Sequence, residues 1–338
     1  MPHQRSRSSG GRSLGACRTR LRDVGLRMAD GGRPTRRSHR QPLRRLASTS
    51  MELVPGVTVG HWTNHDARTG CTVIRFPAGT VASGEVRGGA PASREFALLD
   101  PARTVDRIDA VVLSGGSAFG LAAADGVVAA LEADGVGFET RHGVVPIVIG
   151  LSLYDLGVGD PTARPDASAG RAAFDVASAD PEDGAVGAGA GATVGKWRGP
   201  EAARDAGLGI VTVAAAELMV SAVVAVNAVG DIDDGETAIS VANGEDVWPS
   251  VADPLEPNTV IGAVATNARL DKAGCFVVAQ GAHDGLARAV FPPHMRSDGD
   301  AFVAASVGSV DASVDQIRML AVVAVETAIR RSVASLSG

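Results

Sequence analysis

Long apolar stretches that never alternate with polar residues constrain this chain more than any other feature. "GIVTVAAAELMVSAVVAVNAVGDI" (209–232), "NTVIGAVAT" (258–266) and "AFVAASVG" (301–308) are built mainly from Val, Ala, Ile and Gly. A strand with one wet face alternates, whereas a strand apolar at every position is covered on both faces. Such strands predict sheets stacked between other layers. The first stretch supplies two consecutive strands. "DAVVLSGG" (109–116) is a buried strand that runs through Gly115-Gly116 into a helix, and "VVPIVIGLSLYDLG" (144–157) and "GCFVVAQGA" (274–282) are further strands. "PDASAGRAAFDVAS" (165–178) is a helix with an acidic or Ser start, and 314–336 is a closing helix with Arg near its end, where the dipole favours cations. Many apolar strands and a few Ala-rich helices predict a layered α/β or α+β sandwich. Aromatics make up only 4% of the chain while Gly numbers 42, so layers must meet through small side chains and close backbone contacts.

The charge is unevenly spread. Residues 1–50 hold 13 Arg and two Asp, whereas the remainder carries 19 basic and 36 acidic residues. The first 50 residues lack the apolar run of a signal peptide and are predicted to be a disordered Arg-rich extension. Met51, followed by the strand-like "ELVPGVTVGHW", would serve as a start. A nucleic-acid-binding arm and a transit peptide are the other readings of this extension. From Val54 onward no linker and no internal repeat divides the chain, which predicts a single domain over 51–338. Cys17, Cys71 and Cys275 are isolated, which predicts a reducing, cytoplasmic setting and no disulfide framework. No stretch approaches the ~18 apolar residues of a membrane span.

Several chemistries fail on spacing. "GATVGKW" (191–197) has Ala190 where a P-loop needs Gly, and Trp197 after its Lys. "SGGSAFG" (114–120) places Phe119 where a nucleophile elbow needs its last Gly, so Ser117 reads as a cap or a substrate-cradling turn. His61 and His65 are four apart in "HWTNH", but Thr63-Asn64 reads as a loop, against zinc. "GDIDDGE" (230–236) lacks the spacing of a calcium loop and reads as a solvated turn.

One junction is chemically suggestive. "DPLEPNTVIGAVATN" (253–267) begins as a Pro-rich segment, expected to be exposed over 253–258, and ends as a buried strand. Thr259 stands at the junction. A Thr hydroxyl needs a base, and one source is its own α-amine once the preceding peptide bond is cut, with a pKa near ~7.7–8.0. The competing reading is a β-branched residue opening a strand.

The sequence resembles the family of L-aminopeptidase/D-esterases, β-peptidyl aminopeptidases and nylon-oligomer hydrolases. The similar segments run from Val54 to the end: "GVTVGHW", "RGGAPASRE", "VVLSGGSAFGLAAADGV", "GAGAGATVGKW", "VVAVNAVGD", "NTVIGAVATNARL" and "SDGDAFVAAS". The resemblance implies an α+β fold, a four-layer αββα sandwich of the N-terminal-nucleophile type. It also implies self-cleavage between Asn258 and Thr259 into 51–258 and 259–338, and a homo-oligomer of such units. It assigns Thr259 as nucleophile and Asn227 as oxyanion donor. Lys196 becomes a partner of the nucleophile or amine, Asp298 and Asp300 paired acids, and Tyr154, the one Tyr of the chain, a substrate neighbour. Thr at the nucleophile with Asp-Gly-Asp downstream is similar to the nylon-hydrolase branch; the aminopeptidase branch typically has Ser, with Ser and Glu at the acid positions. The expected substrate is a small amide or peptide, and the chemistry requires no metal or organic cofactor. An N-terminal aminopeptidase and a non-catalytic ligand-binding relative are the alternatives; nucleic acid and membrane are not expected partners.

Overall fold

The computed structural model describes residues 50–245 and 257–336. Ten strands form two five-stranded sheets. The strands are β1 Thr58–Asn64, β2 Thr69–Arg75, β3 Val81–Val86, β4 Ala92–Arg94 and β5 Ala110–Ser114, then β6 Val148–Ser152, β7 Leu208–Ala215, β8 Leu218–Asn227, β9 Thr259–Ala268 and β10 Ala301–Val310. One sheet has the order β1-β2-β5-β6-β4 and the other β7-β8-β9-β10-β3. Both follow one plan: the third and fourth strands are parallel and every other neighbour is antiparallel.

Helices α1 Ala123–Ala133 and α2 Ala167–Asp175 cover the outer face of the first sheet. A short helix, α3 Glu236–Asn243, buries no residue. Helices α4 Lys272–Ala289 and α5 Val314–Ala334 cover the outer face of the second sheet. Between the sheets Ile74, Leu113 and Leu151 of one pack with Ile210, Ile261 and Val303 of the other. The order is thus αββα, the four-layer sandwich expected. No helix among the described residues is long and apolar enough to cross a membrane.

Small residues set the layer spacing. A Cβ on Gly209 of β7 would lie 1.9 Å from the Ala328 carbonyl of α5, and one on Gly60 of β1 would lie 2.1 Å from that of Ala173 in α2. Helix backbone therefore rests directly on strand backbone at both outer interfaces. The helix starts are satisfied locally: Asp166 accepts from Ala169 N–H, Asp271 from Gly274 N–H, and Ser313 with Gln316 forms a capping box.

Six sequence expectations are corrected. "GCFVVAQGA" is helix, the first half of α4, because both the second sheet and α5 cover it and leave little polar face to betray its period. The strand expected over 144–157 is confined to 148–152, while 143–145 pairs with 138–140 in a separate ribbon. The strand expected directly after Met51 starts at Thr58, and Thr63-Asn64 closes that strand rather than forming a loop. Asp231 is buried, holding Arg198, Arg204 and the Trp197 indole N–H, so "GDIDDGE" does not begin as a solvated turn. Asn258 is buried, because its N–H donates to Ser297 O at 3.0 Å and its carbonyl accepts from Gly299 N–H. Positions 253–256 of the expected exposed segment, and the extension up to residue 49, lie outside the described residues.

Candidate active site

Strand register assembles the site. β8 and β9 are antiparallel, and their pairing sets Asn227, the last residue of β8, directly opposite Thr259, the first of β9. The parallel neighbour β10 is preceded by the "SDGD" loop, whose Asp298 bridges to Asn258. Three elements thus converge on the 258–259 peptide bond. Thr259, Asn258, Asn227, Asp298 and Asp300 are all buried.

The Asn258 carbonyl oxygen accepts two hydrogen bonds. Gly299 N–H donates to it at 2.7 Å, and the Thr259 hydroxyl donates to the same oxygen. Gly299 also has to be glycine: a Cβ there would stand 2.8 Å from Thr259 Oγ1 and 2.7 Å from Ala90 O. A backbone donor on a carbonyl stabilises the charge that oxygen gains when its carbon is attacked.

Asn227 is fixed at both ends of its amide. Its Oδ1 accepts from Lys196 Nζ at 2.7 Å and from Thr193 N–H at 3.0 Å, while Nδ2 donates to the Tyr154 carbonyl at 2.7 Å. Lys196 Nζ further donates to the Thr193 carbonyl and hydroxyl, each at 2.9 Å. Tyr154 meets this group through its backbone. Ser117 lies one step further out: it opens a 3₁₀ turn after Gly116, with φ of 56°, and its N–H donates to Leu153 O at 2.8 Å. Gly116 is the cap of that turn, so no side chain caps it.

The paired acids are held separately. Asp298 accepts from Val229 N–H at 3.2 Å and Met295 N–H at 2.8 Å. Asp300 accepts from Val260 N–H and from His294 Nδ1, both at 2.8 Å. Burial first, and the neighbouring Asp300 second, push the Asp298 carboxyl up to about 7; its two N–H donors and Lys196 act against that rise. The segment 87–90 lies along the loop: Arg87 N–H and Gly88 N–H donate to Asp300 O, and Ala90 N–H donates to Asp298 O.

All five residues expected to be catalytic therefore belong to one connected group, with Tyr154 at its edge and Ser117 beyond. The sequence reading missed Gly299, Thr193, His294 and Asp155. Asp155 is buried next to Tyr154, accepts from Gly116 N–H and the Thr69 hydroxyl, and is pushed up by burial. Its only sequence signal was adjacency to Tyr154. Two cavities of about 320 and 240 Å³ are lined by none of these residues.

The sequence profile of peptidase family S58 matches residues 51–336. The chain is 40% identical over 295 residues to an uncharacterized aminopeptidase of Mycobacterium leprae, spanning 78% of this chain and 80% of that protein. It is 30% identical over 276 residues to a 6-aminohexanoate-oligomer endohydrolase of a Kocuria species, spanning 76% and 74% respectively. The L-aminopeptidase D-Ala-esterase/amidase of Ochrobactrum anthropi, described as a variant of the N-terminal-nucleophile hydrolase fold, superposes with a TM-score of 0.63 at 19% identity, covering 82% of this chain and 84% of that one.

Proposed function

The chain belongs to peptidase family S58, and from that premise we propose that it opens its own Asn258–Thr259 bond and then uses Thr259 as an N-terminal nucleophile on amide bonds of small peptides or ω-amino-acid oligomers. Thr259 Oγ1 adds to the Asn258 carbonyl carbon. Collapse of the adduct breaks the C–N bond, moves the acyl group to oxygen and leaves the Thr259 amine free. Water then hydrolyses the ester, releasing Asn258 as a carboxylate and restoring the hydroxyl. In turnover the α-amine takes the hydroxyl proton as Thr259 attacks, the product amine leaves, and water frees the acyl group. Lys196 and Asn227 flank the nucleophile, and Asp298 and Asp300 offset the ammonium. One domain over 51–338, cut into 51–258 and 259–338 and assembled as a homo-oligomer, completes the reading.

The observation that carries this proposal is the hydrogen bonding of the Asn258 carbonyl oxygen. It rests on a backbone N–H at 2.7 Å and on the hydroxyl of the very next residue, amid buried acids. Thr259→Ala should give a single uncut chain without amidase activity. Intact mass of the purified variant decides it, and two fragments of normal mass would refute the assignment.

A second reading is favoured by one observation: identity to the mycobacterial aminopeptidase exceeds that to the oligomer endohydrolase, 40% against 30%. On that reading the enzyme removes N-terminal residues. Processed protein offered matched substrates with free and acetylated amino termini separates the two. An exopeptidase needs the free amine; an endohydrolase does not.

A further inference from the structure

The site contains a histidine that its proposed chemistry leaves unused. His294 lies outside every strand and helix named above, four residues before the first acid of the pair. Its backbone has φ of 54°, in the left-handed region that non-glycine residues enter at a cost. The consequence of that turn is local and double. The imidazole Nδ1 meets Asp300 Oδ2 at 2.8 Å, while the next residue's N–H, that of Met295, reaches Asp298 Oδ2 at 2.8 Å. Two consecutive residues thus hold the two carboxylates, one through a side chain and one through backbone.

The ring is fixed in place. His283 of α4 packs edge-on against it, with centroids 5.0 Å apart and planes at 65°, and His283 itself packs edge-on against Phe302 of β10. His283 Nε2 donates to Glu85 O at 2.9 Å, and burial holds that imidazole neutral, down to about 3. His294 Nε2 is buried with no hydrogen-bond partner among the described residues, so its polar anchor is Asp300. Asp300 in turn holds Val260 N–H at 2.8 Å, and Val260 directly follows Thr259.

We propose that His294 is a positioning residue: by donating to Asp300 it fixes the carboxylate that anchors Val260, and so sets where the Thr259 hydroxyl stands. This rests on Thr259 being the nucleophile. The donor matters rather than the ring's charge, because neutral and cationic imidazole both present Nδ1–H here. The charged and titratable groups around the ring are consistent with that role. Asp300 and Asp298 lie on the "SDGD" loop, with Lys196 acting on Asp298; His283 and Asp284 lie on α4; Glu85 and Arg87 lie on and just after β3, with Arg87 bonded to Glu85 and Asp284.

Three variants test this. Asn can present its amide N–H where Nδ1 stands and tolerates a left-handed backbone, so His294→Asn should fold, process and keep kcat within about threefold of wild type. His294→Gln, whose amide reaches the Nε2 position, and His294→Leu should fold yet lose kcat about tenfold to hundredfold, the scale on which misplacing reacting groups acts, with KM little changed. Wild-type-like kcat in His294→Leu overturns the proposal, as does equal loss of kcat in all three folded variants, or failure of His294→Asn to fold. Wild-type enzyme and Thr259→Ala run alongside. An uncut wild type, or a cut and active Thr259→Ala, would indict the nucleophile assignment instead of His294.

Discussion

Asp298 carries a proton into the neutral range because the fold surrounds it with little solvent and a second carboxylate. Its folded value of about 7 lies above that of an unfolded Asp, so the folded chain binds the proton more tightly. The stability this contributes is complete below about pH 4 and is lost as pH rises through about 7. Uncut Thr259→Ala should therefore melt at a lower temperature at pH 8 than at pH 5.5, and adding Asp298→Asn should flatten that slope. Calorimetry of both proteins across this range checks it; a slope unchanged by the second substitution would place the proton elsewhere. At this scale the side chains of the candidate site were legible in sequence: Thr259, Asn227, Lys196, Asp298 and Asp300 sit in segments whose spelling carries the family resemblance. What was not legible was the backbone. The N–H groups of Gly299, Met295 and Thr193 hold the Asn258 carbonyl, Asp298 and Asn227, and a backbone donor leaves no residue signature. The approach of His294 depends on a left-handed turn that its neighbours do not announce.

Among the elements, the segment 87–90 has a sharper role than its length suggests. It runs beside the "SDGD" loop so closely that a Cβ on Gly88 would stand 2.3 Å from Asp300 N and 2.4 Å from Asp298 O. Both are backbone atoms, which cannot swing aside as a side chain can. Gly88→Ala should push the loop, and Gly299 with it, off the Asn258 carbonyl. Self-cleavage should slow by at least about tenfold, since a well-placed oxyanion donor is worth that or more. A time course of fragment appearance on denaturing gels measures it, and cleavage at the normal rate would show that the loop tolerates the shift. The same closeness explains how elements were misread. Strands 209–215 and 259–268 declared themselves because Val, Ile, Ala and Gly fill most of their positions, with Thr212 the one polar residue inside the first and a six-residue apolar run, 260–265, inside the second. Residues 274–282 look alike for a different reason, being a helix covered by a sheet and a second helix. Strands β2, β3 and β4 went unread, since Thr69, Thr72, Ser83 and Ser93 interrupt their apolar runs although three of these four are buried.

For the whole molecule, the layering followed from composition, but strand order did not, because order depends on which distant segments share a register. That order has a consequence. In the second sheet, β9 and β10 come from residues after 258, and they lie between β8 and β3, which come from residues before it. With the 258–259 bond open, as proposed, one fragment's strands would be interleaved with the other's, and α4 and α5 would stay clamped over both. Folding then changes molecularity. The uncut Thr259→Ala chain regains its structure by a first-order process whose yield ignores dilution. The cut enzyme, once unfolded, needs an encounter between two polypeptides, so its recovery should fall as concentration falls. Refolding yields from denaturant at micromolar and nanomolar protein distinguish the two; equal yields for the cut enzyme would mean that one fragment folds alone. With processing as proposed, the interleaved sheet would make the cut a commitment in time as well as in chemistry. A molecule cut in that way would keep its fold mainly by the slowness of its unfolding.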